Sequence, residues 1–402
     1  IITTEVKALR NFLNRIKPDF QPGGKFEKLQ SVFDGFETFL FTPSTTSGRQ
    51  GAHIHDSNDL KRTMIIVVVA LLPCLLFGMF NVGYQHFIAV GNPNATFFEK
   101  FLYGFLDMLP RLVVSYGVGL GIEFVAAQIR HHEIQEGFLV SGMLIPLVCP
   151  INTPLWMIAV ATAFAVIFAK EVFGGTGMNI FNVALITRAV LFFGYPSKMS
   201  GDAAFVDGTS VFGFGGSVDA FSGATPLAQA AADGANAMKD LAGNPITTLD
   251  AFLGLIPGSV GETSTLCCLI GAAILLLTGV ASWRIMLSVF AGGLAMGALV
   301  HAIPSAAYPA SQLTALDQIC LGGFAFAAVF MATDPVTGCR TNIGKYIYGF
   351  LIGVFTIIIR VYNGGYPEGA MLAVLLMNAF APTIDWCVVN SNINRRLNRV
   401  KH

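Results

Sequence analysis

Residues 170–182 read KEVFGGTGMNIFN and end a long apolar run that begins near residue 155. The glycines and asparagines interrupt what would otherwise continue as a helix, because glycine ends helices and asparagine caps them. A second interruption, MATDPVTGCRTNIGK at 331–345, follows another apolar block. Non-helical backbone is tolerated at membrane depth only where protein buries it or where it lines a cavity. The two stretches therefore predict a polar feature inside a membrane domain.

The composition indicates a polytopic membrane protein. The 402 residues are 54% hydrophobic and only 12% charged, whereas soluble domains carry roughly 25% charged residues. The seven cysteines include no CxxC pair. We therefore expect neither a zinc site nor a complete iron–sulfur site, and no bound metal, in this chain.

Ten apolar segments are candidates for crossing the membrane, since a spanning helix needs about 20 apolar residues. The full-length segments are 64–83, 109–129, 155–171, 264–282, 284–303, 345–362 and 368–388, and the shorter or broken ones are 138–149, 172–195 and 318–333. They divide five and five around the hydrophilic stretch 197–252. Five crossings in each half make the second half inverted relative to the first. The sequence thus predicts an all-α fold with two inverted five-helix repeats, whose broken helices mark a site near the midplane.

The distribution of basic residues predicts the orientation. With the N-terminus in the cytoplasm, eighteen of the 24 Lys and Arg residues lie inside and five outside, while Arg188 lies within a segment. This bias places both termini in the cytoplasm. The predicted parts are a cytoplasmic N-terminal segment at 1–62, a first repeat at 63–196, a periplasmic loop at 197–252, a second repeat at 253–389 and a basic tail at 390–402.

Four ionisable residues lie within or at the ends of apolar segments, where charge is costly and marks functional sites. They are Glu123, Arg188, Asp334 and Asp385. For Glu123, a structural ion pair competes with a role in cation or quinone binding. For Asp385, a position at the membrane interface is the alternative.

The predicted periplasmic loop contains DAFSGAT at 219–225, which matches the acceptor sequence of periplasmic flavin transferases, D-x-x-[S/T]-G-A-T. These enzymes transfer FMN from FAD to a threonine hydroxyl as a phosphoester. Asp219 opens the motif, and the small residues Ser222, Gly223 and Ala224 allow a transferase to approach the backbone. The sequence therefore predicts covalent FMN on Thr225.

Several longer motifs carry a resemblance to a known family. They are QPGGK (21–25), DSNDLKR (56–62), HEIQEGF (132–138), KEVFGGTGMNIFN (170–182), SGAT (222–225), IPGSVGE (256–262), GGFAFAAVFMATDP (322–335) and YPEGAMLA (366–373). Over nearly its whole length the chain resembles the family that comprises NqrB of sodium-translocating NADH:quinone oxidoreductases and the paralogous RnfD of Rnf complexes. The long leading segment favours the NqrB type. The resemblance implies a urea-transporter-like fold of ten helices in two inverted repeats.

The resemblance also implies two flavins. It places covalent FMN on Thr225 and a non-covalent riboflavin near Asn179 and Asn182, with Gly175 and Thr176 in the same stretch. The family has Asn-Pro where this chain has Asn182-Val183, a departure that bears on the local helix geometry. We assign Arg188 as the partner of a flavin's charge.

Further residues match regions that the family links to ions and quinone. Glu123, with Gly119 and Phe138 nearby, matches a region for cation or quinone entry. Asp334 and Asp385 match acids implicated in sodium movement. Ubiquinone is the implied substrate and Na⁺ the implied transported ion.

The resemblance assigns the remaining chemistry to partners. NADH oxidation and the iron–sulfur centre would belong to other members of a six-subunit complex, in agreement with the absence of a dinucleotide fingerprint here. The chain would lie in the bacterial inner membrane, would be modified by a periplasmic flavin transferase and would bind no nucleic acid. Two alternatives stay open: an Rnf-type protein, and a passive urea-transporter-like channel without a redox role.

Overall fold

The computed structural model describes residues 2–21, 23–26, 33, 37, 60–130, 137–200, 204–218, 221, 223–365 and 368–400. Within these ranges the chain forms helices and loops, with isolated bridges as the only β pairing. The α-helices are α1 (Ile2–Phe20), α2 (Leu60–Ala89), α3 (Phe97–Arg130), α4 (Phe138–Val148), α5 (Leu155–Ala165), α6 (Val183–Gly194), α7 (Pro196–Met199), α8 (Pro226–Asp233), α9 (Thr248–Leu253), α10 (Thr265–Leu277), α11 (Trp283–Ala302), α12 (Ala315–Cys320), α13 (Phe324–Phe326), α14 (Asn342–Tyr362) and α15 (Ala370–Val400).

Six of the described helices are long and apolar enough to cross a membrane, which confirms a polytopic all-helical protein. They are Lys61–Ala89, Phe97–Arg130, Leu155–Phe173, Trp283–Ala302, Asn342–Tyr362 and Ala370–Arg399. These spans match six of the seven segments predicted at full length. The total of ten crossings and the inverted repeat stay predictions.

The seventh predicted full-length segment, 264–282, is shorter in the structure, where α10 has 13 residues. Ser264 caps its N-terminus by accepting a hydrogen bond from the Cys267 amide at 3.2 Å. Gly279 adopts a φ of +72°, a left-handed conformation that ends the helical path. Local capping residues therefore shorten a helix that hydrophobicity alone would extend.

Glycines allow the long helices to approach each other closely. α2 and α3 form an antiparallel pair, and a Cβ atom at Gly104 of α3 would collide with the backbone of Met79 in α2. The same holds between α11 and α14, where a side chain at Gly353 would collide with the backbone at Val289. Small residues at helix contacts are the usual means of close packing in membranes.

The short helices form the centre of the membrane domain. All residues from Phe324 to Met331 are buried, and most of α4 is buried as well. α6 packs against α4 and α5 from the first half and against α15 from the second, while α10 packs against α2. The two halves of the chain are therefore joined along these short, buried helices.

Both interrupted stretches contain a π-helix. In the first, α5 continues as a π-helix over Val166–Lys170 and a 3₁₀ turn over Glu171–Phe173. In the second, α13 continues as a π-helix over Ala327–Met331. π-helical turns are rare and are frequent at functional sites. Loops 174–182 and 332–341 follow these turns, and they position the site described next.

Candidate functional site

The two interrupted stretches meet at Asn182 and Asp334. Nδ2 of Asn182 donates a hydrogen bond to Oδ2 of Asp334 at 3.2 Å. The other end of the same amide caps α6, because Oδ1 accepts from the backbone N–H groups of Ala184 and Leu185 at 3.0 and 3.3 Å. One side chain therefore starts a helix of the first half and binds an acid of the second half.

The departure from the family's Asn-Pro pattern leaves the helix start intact. α6 begins at Val183 with Asn182 in an extended conformation before it (φ −65°, ψ 125°). Val183 occupies the first helical position, where proline is also favoured because its missing N–H is not needed there. Asn182 alone supplies the cap.

Asp334 and Asp385 both order loop 332–341, in different ways. Oδ1 of Asp334 accepts from the Val336 amide at 3.0 Å. Asp385, on α15, accepts from the amides of Arg340 and Thr341 at 2.7 and 3.0 Å and from the Thr341 hydroxyl at 2.5 Å. Asp385 therefore holds the end of the loop, whereas Asp334 faces the cavity.

A cavity opens between the two loops, and we call it the Asp334 cavity. About 830 Å³ of empty space lies between its walls, including the part that is open to the surface. Ligand sites usually measure about 300–1,000 Å³ and combine apolar walls with a few polar groups. The polar lining residues are Thr63, Ser141, Lys170, Thr176, Asn179, Asn182, Thr333 and Asp334, and the apolar ones include Met64, Val140, Leu144, Leu275 and Phe330.

Most of the residues predicted for riboflavin line this cavity. Thr176, Asn179 and Asn182 lie in its wall together with Asp334. Gly175 is absent from the wall, and its φ of +96° instead allows the sharp turn that brings the loop back. The structure thus assembles three of the four predicted residues around one space.

Lys170 and Glu123 form a buried ion pair at the edge of the Asp334 cavity. Nζ of Lys170 contacts Oε1 of Glu123, and each side chain is only 5% exposed. Lys170 also lines the cavity, whereas Glu123 lies behind it. Oε2 of Glu123 is buried and has no hydrogen-bond partner among the described residues. The pair is therefore incomplete on the carboxylate side.

Gly119 and Phe138 complete the surroundings of this pair. The Lys170 ammonium lies 6.0 Å from the centre of the Phe138 ring, within cation–π range. Gly119 is required by that ring, because a Cβ atom there would overlap it. The predicted group of Glu123, Gly119 and Phe138 is therefore brought together, around a lysine that was not predicted.

Thr225 caps the N-terminus of α8. Its Oγ1 atom accepts a hydrogen bond from the Ala228 amide at 3.2 Å, and Pro226 takes the first helical position. Gly223 and Ala224 lead into the cap, and the Ala224 carbonyl accepts from Gln229 at 2.9 Å. Asp219 and Ser222 lie outside the described residues. The hydroxyl thus sits at the positive end of a helix, where anions are stabilised.

A second space, which we call the Thr225 pocket, adjoins this hydroxyl. It contains about 340 Å³ of empty space. Its lining residues are Thr225, Pro226, Leu227, Ile256, Pro257, Gly258, Ser259, Glu262, Thr263, Leu321, Gly322, Gly323 and Glu368. No residue is shared with the Asp334 cavity. The chain therefore presents two separate candidate sites.

Arg188 lies behind the Thr225 pocket in a buried group of charges, which we call the Arg188 cluster: Arg188, Ser259, Glu262 and Glu368. Nη2 of Arg188 contacts Glu368, while Nη1 donates to Ser259 at 3.1 Å and lies 3.4 Å from Oε1 of Glu262. Both glutamates line the pocket, whereas the guanidinium does not. The charge of Arg188 is met by protein carboxylates, and its assignment to a flavin stays a prediction.

Arg360 adds a second buried guanidinium beside the Arg188 cluster. It donates to backbone carbonyls, among them those of Leu321 at 3.0 Å and Glu368 at 3.3 Å. Two guanidinium groups and two carboxylates therefore lie together, and their formal charges balance. Balanced, hydrogen-bonded charges are the arrangement in which burial is tolerated.

Sequence reasoning missed Lys170, Glu262 and Glu368. Lys170 lies inside the apolar segment 155–171, where a buried lysine is a signal in itself. The two glutamates stand within the quoted motifs IPGSVGE and YPEGAMLA. Their contacts with Arg188 join positions 74 and 180 residues apart, which local sequence does not reveal.

These features define a class: a polytopic helical membrane protein whose interrupted helices enclose a ligand-sized polar cavity. Such cavities are characteristic of membrane proteins that bind or move substrates at broken helices. The model of the NQR2, RnfD, RnfE family matches residues 48–394. The chain belongs to this family.

Curated relatives match the chain over its full length, and each is named as the same membrane component (NqrB) of a Na(+)-translocating NADH-quinone reductase. The protein of Pseudomonas aeruginosa (strain LESB58) is 43% identical over 415 residues, covering 98% of this chain and 99% of the relative. The proteins of Chromohalobacter salexigens and Neisseria meningitidis serogroup B are each 42% identical. They cover 98% and 97% of this chain, and 97% and 98% of their own lengths.

Proposed function

We propose that the chain is the NqrB-type membrane component of a sodium-translocating NADH:quinone reductase, which is a translocase, and that it carries two flavins. The observation that carries the proposal is the full-length similarity to relatives named as the same component of that enzyme. The two separate candidate sites support it. Electrons would pass from FMN on Thr225 to riboflavin in the Asp334 cavity and then to ubiquinone, coupled to Na⁺ translocation.

The residues of the Asp334 cavity fit an uncharged heteroaromatic ligand with a polyol chain. Apolar walls from α2, α4 and α10 suit the ring system. Thr176, Asn179 and Asn182 supply hydrogen-bonding groups, and Asp334 is held in place by Asn182. Bound there, riboflavin would supply the one- and two-electron chemistry that amino-acid side chains lack.

The residues at Thr225 fit a phosphoester. A phosphoryl group on Oγ1 would lie at the N-terminus of α8, beside the backbone N–H groups of Leu227 and Ala228. The helix dipole favours the negative charge at that position. Glu262 and Glu368 line the adjoining pocket, and Arg188 keeps their charges balanced.

The proposal includes an orientation and partners. Both termini would be cytoplasmic, and the loop at 197–252 would face the periplasm, where a flavin transferase reaches Thr225. The two halves would be inverted five-helix repeats in the bacterial inner membrane. NADH oxidation and the iron–sulfur centre would be supplied by the other members of a six-subunit complex.

The covalent flavin is tested with two matched threonine variants. Thr225 and Thr247 are both N-cap residues in the same loop, and each Oγ1 accepts one amide hydrogen bond at 3.2 Å. Replacing either one by Ala costs a similar cap, about 1 kcal/mol. We expect Thr225→Ala to lose all flavin fluorescence from its band in a denaturing gel, and Thr247→Ala to keep it. Full fluorescence in Thr225→Ala would refute the assignment.

The family match also covers Rnf proteins, which provide the second candidate function. The partner set distinguishes the two, because one complex reduces quinone and the other exchanges electrons between NADH and ferredoxin. Purification of the tagged chain with its partners, followed by a quinone reduction assay, decides between them. A passive channel predicts no flavin in either form.

A further inference from the structure

The ion pair of Lys170 and Glu123 is placed between the Asp334 cavity and the body of α3. Lys170 is the last residue of the first π-helix, and its backbone (φ −125°, ψ −63°) has already left the helical conformation. Its side chain both lines the cavity and contacts Glu123. A single ammonium group is thus within the reach of two anionic partners, one in the protein and one in the cavity.

The carboxylate side of this pair has an unfilled position. Oε2 of Glu123 has no hydrogen-bond partner among the described residues, although the side chain is almost fully buried. A buried polar atom without a partner costs about 1–3 kcal/mol, and more when it is charged. The geometry therefore leaves room for a further donor or cation at Glu123.

The neighbouring charges balance each other. Glu171, next to Lys170, pairs with Arg130 at 3.1 Å, and Arg130 also donates to the Glu171 carbonyl at 2.6 Å. Together with Lys170 and Glu123 this group contains two positive and two negative charges. A negative charge that appears in the cavity would leave the group one positive charge short.

We propose that Lys170 transfers its ammonium contact from Glu123 to the cavity ligand when that ligand is reduced, and that Glu123 then binds Na⁺ from the aqueous phase. This inference rests on the proposed riboflavin site and assigns its charge compensation. One electron enters the ligand from the donor flavin and one Na⁺ enters beside Glu123, so that the net charge is unchanged. Lys170 keeps its proton, and no covalent bond changes.

The structure allows this movement without refolding. A lysine side chain has four rotatable bonds and carries a compact charge. The Phe138 ring, 6.0 Å from the ammonium, provides a favourable surface beside it. Gly119 leaves space for that ring. Lys170 acts here as a positioning residue for charge, because it exchanges hydrogen-bond partners and takes no part in electron transfer.

The test is the midpoint potential of the non-covalent flavin in the purified complex, titrated at several Na⁺ concentrations and fixed pH. In the unmodified chain we expect the potential to rise with Na⁺. Glu123→Gln removes the acid and should abolish this dependence. Lys170→Met combined with Glu123→Gln removes the pair as a unit, and should favour the oxidised flavin by about tenfold or more, which is a fall of about 59 mV for one electron.

The neighbouring pair supplies the control. Arg130→Met combined with Glu171→Gln also removes one ion pair, but neither residue lines the cavity. This variant should keep both the potential and its Na⁺ dependence. If the Lys170 double variant loses its flavin, Lys170→Arg keeps the charge and, with Glu123→Gln, still tests the Na⁺ dependence.

The outcomes separate this inference from the proposed function. Absence of an extractable flavin from the unmodified complex would refute the riboflavin site itself. A bound flavin whose potential is independent of Na⁺, or responds to pH alone, would overturn the transfer of Lys170. An unchanged Na⁺ dependence in Glu123→Gln would do the same and leave Lys170–Glu123 as a structural pair.

Discussion

The Asp334 cavity and the Arg188 cluster both join the first half of the chain to the second, yet they do so with different chemistry. At the cavity one amide–carboxylate hydrogen bond links the halves beside about 830 Å³ of empty space. In the cluster a guanidinium is enclosed by two carboxylates and a hydroxyl. Satisfied charges stabilise one arrangement, whereas unfilled polar positions suit a ligand. We infer that the cluster fixes the two halves and that the cavity carries the function.

The same comparison refines the predicted repeat. The interrupted stretches were expected at corresponding positions of two inverted halves. Loops 174–182 and 332–341 nevertheless touch through Asn182 and Asp334. Equivalent loops of an inverted repeat lie on opposite sides of the membrane, so loops that touch cannot be equivalent. In the five-and-five count, loop 174–182 instead corresponds to the stretch at 363–369, which carries Glu368 of the Arg188 cluster.

The largest effect is expected from the cluster. Arg188→Met leaves Glu262 and Glu368 buried without their shared partner, and breaking a buried ion pair in this way costs about 3–5 kcal/mol. We expect little folded protein after size-exclusion chromatography and a much lower melting temperature. Arg284→Met is the control, because Arg284 is only half-buried and stacks on Trp283 at 5.3 Å. Equal stability of the two variants would contradict the assigned role of the cluster.

A smaller, local effect is expected where Asp385 holds loop 332–341. Asp385→Ala removes the acceptor for two backbone amides and one hydroxyl, each worth about 1 kcal/mol or more. Hydrogen exchange at the amides of Arg340 and Thr341 should become faster, while the protein stays folded.

Asp317→Ala is the matched control for that measurement. Asp317 also accepts from two threonine hydroxyls, Thr314 at 2.6 Å and Thr248 at 2.7 Å, but outside the cavity. It should leave exchange at 340–341 unchanged. Equal exchange in both variants would show that Asp385 does not order this loop.

The sequence predicted the elements of this fold better than their pairing. Apolar length identified six spans, and the glycine-rich and Asp-Pro stretches marked both interruptions. Segment 264–282 was predicted too long because the Ser264 cap and the turn at Gly279 act locally and outweigh hydrophobicity. Contacts between the halves depend on the folded chain, as for Asn182 and Asp334, which are 152 residues apart.

The candidate sites show the same limit. Glu123 and Arg188 stood out because each interrupts an apolar run, and a buried charge requires a partner. The sequence left the partners open, and the structure provides Lys170 for one and two glutamates for the other. Thr225 was predicted from its motif, while its position at the start of α8 depends on Pro226 and the residues that follow.

The central claim is that one chain holds two flavins at separate places, and a flavin inventory of Asn182 variants tests it most directly. The purified complex is denatured, and the riboflavin that is released and the flavin that stays on this chain are measured per chain. Asn182→Ser keeps a capping side chain for α6 but is too short to hold Asp334, whereas Asn182→Ala loses both functions. We predict that both variants lose released riboflavin at least tenfold and keep the flavin on Thr225. Riboflavin at the unmodified level in both variants would contradict the account.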